Sequence, residues 1–374
     1  MPDPVLILGA TAAAAIVAAL VMLAGAWPAR RDWSGWATLA EVAAVGGGMG
    51  IGCWWLNLLP KFPPIEDQDR LLLVLLPAVG IVEILAAALR RWPWFGRVFR
   101  VLLALVTPTL LLLGSGYLPG SDPSVPSTWT KQEALEILLG LGVLLAFLWG
   151  LLIYLAQKPG GFVVPAALGL ITAAAGVSLM LSGYASGGEV GLPFAGVAAA
   201  ALLVCLLLAR ERSMTGLVGI GTVLLFGLLM AGRFFGELTT MNFALLIAAP
   251  MLCALVALPP VRTLKAPVRF VAALIICLLP AGVAVGLAVH AFPWEGDESS
   301  GYAGTTSGGD APAYGAGTTS PQTSSEARPS GSAASFPEPP TTSGSPRDPG
   351  ADEPASTATK QKAAPVDPGE ELKR

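Results

Sequence analysis

Apolar stretches of 18 residues or more recur from the N-terminus to about residue 290. A stretch of that length spans the hydrocarbon core of a bilayer as an α-helix. Lipid offers the backbone no hydrogen bonds, so a crossing segment must satisfy its own N–H and C=O groups. The charged fraction agrees: it is 13%, where a soluble chain carries about 25%. The expected fold is all-α, a polytopic integral membrane bundle of about ten transmembrane helices over 1–292, followed by a disordered C-terminal tail over 293–374. The expected spans are 5–26, 36–59, 71–89, 101–117, 131–156, 162–184, 192–208, 214–232, 241–258 and 268–290.

The second span is the unusual one. It carries Glu41 and then Gly46, Gly47, Gly48, Gly50 and Gly52. Helical spacing puts Glu41, Ala44, Gly48, Gly52 and Trp55 on one face. Gly48/Gly52 and Gly46/Gly50 are small-xxx-small pairs, which let a second helix approach closely. A carboxylate at membrane depth is costly and marks a candidate site. A glycine-rich helix also marks tight packing, with the acid protonated and bonded to a neighbour.

The third span holds a second acid, Glu83, on a face with Leu76, Gly80, Ala87 and Arg90. Measured from the helix ends, Glu41 and Glu83 fall at similar depths, roughly 8 and 10 Å. Consecutive antiparallel spans are often neighbours. The expectation is that Glu41 and Glu83 lie close together and share a proton, as a relay or as a fixed carboxyl–carboxylate bond.

After that span comes RRWPWFGRVFR, 90–100, in which Arg90, Arg91, Arg97 and Arg100 alternate with Trp92, Trp94, Phe95 and Phe99. Such a mixture suits a membrane interface, with rings at headgroup level and cations on anionic lipid. Thr130 followed by Glu133 has the spacing of a capping box opening the fifth span. Pro77, Pro108, Pro250 and Pro280 fall inside spans, as in the broken helices of transporters, but proline kinks are common in membrane bundles. No sequence echo links the two halves.

Cys53, Cys205, Cys253 and Cys277 all lie in apolar runs without a metal or redox spacing, and read as small buried hydrophobes. His290 is the single histidine, which excludes a His-based metal cluster or a Ser/His/Asp triad. No metal and no cofactor is expected. Residues 1–292 hold 16 Lys and Arg against 13 Asp and Glu, and the tail holds 6 against 12. That balance lacks the basic footprint of a nucleic-acid binder.

The tail is Gly, Ser, Thr, Pro, Ala and acids, too poor in aliphatic residues to offset its ordering entropy. Ala24-Gly25-Ala26 resembles a signal-peptidase site, but Asp3 precedes it and Arg30 and Arg31 follow, the reverse of a secretory signal. The loops after odd-numbered spans hold twelve Lys and Arg, and those after even-numbered spans hold four. The positive-inside rule then places a multi-pass protein in the cell (inner) membrane with both termini outside the cytoplasm.

Three functions are compatible with this layout. A non-enzymatic scaffold or subunit of a membrane complex fits the short loops and glycine seams, with lipid and other membrane subunits as partners. A small-molecule or ion carrier would use Glu41 and Glu83 as a proton or cation relay, though the spans offer few other polar residues. An intramembrane enzyme is the least supported, because no acid, base and nucleophile share a face.

Overall fold

The structure, a computed structural model, describes residues 3–26, 34–119, 127–158, 161–208, 214–257 and 266–292. Among them it forms ten helices and no strand. These are α1 (Pro4–Ala26), α2 (Ser34–Trp55), α3 (Asp67–Ala88), α4 (Pro93–Leu112), α5 (Lys131–Ala156), α6 (Val163–Leu181), α7 (Ala185–Leu207), α8 (Thr215–Phe234), α9 (Thr240–Leu252) and α10 (Ala266–Ala291). Each occupies one of the expected positions. Eight of them, all but α2 and α9, are long and apolar enough to cross a membrane. In α2 the glycines and Glu41 dilute the hydropathy. In α9 the 13 helical residues rise only about 20 Å, short of the roughly 30 Å of hydrocarbon. The tail over 293–374 and the loop cations Arg30, Arg31, Arg210, Arg212, Arg262 and Lys265 lie outside the described residues.

Local chemistry sets several helix boundaries. The capping box at α5 is complete: Glu133 N–H donates to Thr130 Oγ1 at 3.3 Å, and Thr130 N–H donates to Glu133 Oε2 at 2.9 Å. In α3 a π turn, Leu71–Leu75, comes just before Pro77, and Leu76 N–H reaches back five residues to the Leu71 carbonyl. Proline supplies no N–H to the carbonyl four residues behind it, and a locally widened turn is one way a helix accommodates that. After Pro250, α9 tightens into a 3₁₀ turn, Cys253–Ala257.

Two boundaries differ from expectation. Helix α4 opens at Pro93, eight residues before the expected 101, because a proline at the first helical position costs no hydrogen bond. The aromatic and basic stretch is therefore largely the first turns of α4. Helix α7 opens at Ala185 rather than 192 and contains Pro193. Its early glycines serve close packing. A Cβ added to Gly176 of α6 would sit 2.7 Å from the Gly188 carbonyl oxygen of α7.

Helix α8 is the central strut, buried along 94% of its apolar window against 22% for α1. It packs on α2, α3, α4, α5, α6, α7 and α9. Helix α1 lies outside, on α2 and α7, and α10 lies outside, on α6 and α9. The outward faces of α1, α3, α4, α5 and α10 present exposed side chains such as Ile16, Ile81, Leu102, Phe147 and Ile275. An apolar surface of that extent suits lipid or partner helices rather than water.

Candidate functional site

Two of the buried acids, Glu41 and Glu83, meet the N-terminal end of α8 from different helices. The first N–H groups of any helix lack intrahelical acceptors and carry the positive end of its dipole. Glu41 of α2 answers one of them: its Oε2 accepts from Gly216 N–H at 2.9 Å. The approach depends on glycine, since a Cβ at 216 would lie 3.1 Å from that oxygen and 3.2 Å from Thr38 Cγ2. Glu41 is 4% exposed.

Glu83 of α3 sits one turn further along α8, against Gly219, where a Cβ would overlap Oε1. Its carboxylate is fully engaged. Arg100 of α4 grips it with both arms, Nε to Oε1 at 2.9 Å and Nη2 to Oε2 at 2.6 Å. Trp149 of α5 donates Nε1–H to Oε1 at 3.1 Å. The Glu83 side chain is 0% exposed and that of Arg100 17%. A planar, bidentate guanidinium–carboxylate pair is the strongest arrangement these groups make. One carboxylate thus ties α3, α4 and α5 together beside α8.

The expected neighbourhood of α2 and α3 is present, with Gly80 facing Val42 so tightly that a Cβ would approach Cγ1 to 2.9 Å. The expected carboxyl–carboxylate bond is not what the structure contains. Glu83 pairs with Arg100 and Glu41 with the end of α8, because an opposite charge and a helix N-terminus each satisfy an acid better than a second acid does.

Arg100 therefore leaves the interfacial group. Trp92 and Trp94 are 55% and 57% exposed, and Trp94 stacks on Phe95 with ring centroids 4.0 Å apart. Arg90, Arg91 and Arg97 are exposed beside them. The glycines of α2 also divide. A Cβ on Gly48 would come within 2.9 Å of the Ala14 carbonyl of α1, and one on Gly52 within 2.6 Å of Pro193 of α7. Gly46 and Gly50 face open space.

From the sequence, Arg100 was assigned to the interface only, and Trp149, Gly216 and Gly219 were given no part in the site. A signal for Arg100 did exist. Glu83 lies five residues before the end of α3 at Ala88 and Arg100 seven after the start of α4 at Pro93, so in a helical hairpin the two fall within about 3 Å of the same depth. Nothing comparable points to Trp149.

Glu41 also lines a cavity of about 20 Å³ with Met22, Cys205 and Met214 among its walls. That volume is room for about one water. Among the described residues, no group of three or more His, Cys, Asp or Glu could hold a metal ion.

The opposite end of the bundle is tied by donors. Tyr184 donates its hydroxyl to Asp67 Oδ2 at 2.7 Å. Burial, and then the neighbouring Asp67 carboxylate, push the phenol above its ordinary range, so it stays a neutral donor. Arg70 donates to the carbonyls of Pro64, Ile65 and Leu113, and Tyr117 donates to the Phe234 carbonyl at 3.1 Å. Compared with known proteins, the chain matches no family model, no curated protein and no solved structure.

Proposed function

We propose that the chain is a ten-span integral membrane protein of the cell membrane, with both termini outside the cytoplasm, and that its role is non-enzymatic: a scaffold or a subunit of a membrane complex. The observation that carries this reading is the use of Glu41 and Glu83. Both are fastenings. Glu83 is clamped between Arg100 and Trp149, and Glu41 closes the end of α8. A relay carboxylate has to change protonation during its cycle, and a bidentate arginine opposes that for Glu83. The open pair Gly46/Gly50 on α2 adds a seam of the kind that admits a further helix.

The test uses the full chain solubilised from its own membranes in mild detergent. Native mass measurement is expected to find it in a complex with one constant partner. Gly46→Leu with Gly50→Leu is expected to release the partner while leaving the thermal midpoint of the chain itself unchanged. A lone chain that releases a trapped pH gradient in proteoliposomes, and loses that ability in Glu41→Gln, would overturn the reading. That outcome belongs to the second reading, a proton or cation carrier, which is favoured by the cavity beside Glu41.

A further inference from the structure

Two of the four cysteines meet. Cys253 opens the 3₁₀ turn that ends α9, and Cys277 lies near the middle of α10. They are 24 residues apart in sequence, and their Sγ atoms are in contact at 2.8 Å. Cys253 is 4% exposed and Cys277 fully buried. Helical spacing puts Ala249 and Pro250 on the face of Cys253, and Ala273 and Ala281 on that of Cys277, all four buried, small and apolar. Cys53 and Cys205 lie elsewhere: Cys53 on α2, and Cys205 on α7 with Met214 Sδ at 4.0 Å.

We infer that Cys253 and Cys277 are a redox-active dithiol, oxidised within the bundle to a disulfide that staples the end of α9 to α10. The chemistry needs two sulfurs held together and a two-electron acceptor. Juxtaposition removes the entropic cost of bringing the thiols together. The acceptor has to reach an apolar site between helices, so its chemical class is a lipid-soluble quinone. Two S–H bonds break and one S–S bond forms. Two protons and two electrons pass to the quinone, which leaves as the hydroquinone. Reduction by a small dithiol reverses the change by thiol–disulfide exchange.

The position also supplies a way in. Behind Pro250 the helix gives way to a 3₁₀ turn with poorer hydrogen-bond geometry. A segment of that kind opens locally at lower cost than the α8 core. The staple would close a loop of 24 residues and anchor the short helix α9. Nothing in this step depends on the scaffold role proposed above.

The experiment counts thiols in the wild-type chain, purified in detergent after full reduction. One sample is exposed to duroquinone and one is not. Both are then denatured in excess N-ethylmaleimide and weighed intact. The expected result is four adducts without quinone and two with it, the two remaining adducts mapping to Cys53 and Cys205. A peptide joining 253 to 277 should appear in the quinone sample and vanish on reduction. Cys277→Ala should carry three adducts with or without quinone. Four adducts in the quinone-treated wild type, or a linkage that involves Cys53 or Cys205, would overturn the inference.

Discussion

The two ends of α8 are fastened by opposite means. At its N-terminus the neighbours are acceptors and charges: Glu41 on the Gly216 N–H, and Glu83 against Gly219 with Arg100 and Trp149 behind it. At its C-terminus the neighbour is a donor: the Tyr117 hydroxyl on the Phe234 carbonyl, with the rings of Tyr117, Trp129 and Phe234 packed edge to face and tilted, 5.1–5.6 Å apart. The difference follows from the helix itself, which leaves N–H groups bare at one end and C=O groups at the other. It also follows from burial. The charged end is dry, where an unpaired group is expensive. The aromatic end is half-exposed, where water stands in for a lost partner.

The comparison breaks most visibly at Arg100. Arg100→Leu leaves Glu83 buried without its counter-charge. Removing one partner of a buried pair costs about 3–5 kcal/mol, while replacing both by apolar residues of similar volume is often neutral. Thermal unfolding in detergent should therefore show a large drop for Arg100→Leu and a recovery of most of it in Arg100→Leu with Glu83→Leu. A double variant no more stable than the single one would mean that the pair does more than neutralise itself.

The next effect is at Glu41. Glu41→Gln keeps a carbonyl oxygen for the Gly216 N–H and should change stability little. Glu41→Leu removes it, and a buried donor left without its acceptor costs about 1–3 kcal/mol. Equal losses for Gln and Leu would show that the negative charge, rather than the hydrogen bond, holds this end of α8.

The helices themselves were legible because length and apolarity announce them, and Thr130 with Glu133 fixed the start of α5 to the residue. Partnerships were less legible. Arg100 stands among tryptophans, and local composition assigned it to the lipid interface; what decides its place is the hairpin that carries it back past Glu83. The glycines of α2 formed two small-xxx-small pairs in sequence, yet Gly48 and Gly52 pack on α1 and α7 while Gly46 and Gly50 face outward. A 3.6-residue period shows which residues share a face, not which face meets protein. Cys253 and Cys277 had no motif because their contact joins two helices across 24 residues, and spacing rules see only contacts within one local motif.

The smallest effect tests the aromatic end. Tyr117→Phe keeps the ring, and with it the packing on Trp129 and Phe234, and removes only the hydroxyl that donates to the Phe234 carbonyl. A neutral hydrogen bond contributes about 0.5–1.5 kcal/mol net. Phe234 and Tyr117 are both half-buried, so water can reach the freed carbonyl and the loss should fall at the low end of that range. Tyr117→Ala removes the ring as well and opens a void between Trp129 and Phe234, so its loss should be severalfold larger. The contrast with Glu41 is the measurement of interest. If Tyr117→Phe destabilises as much as Glu41→Leu, the two ends of α8 are equally dry, and the asymmetry between charge and aromatic fastening reflects helix polarity alone.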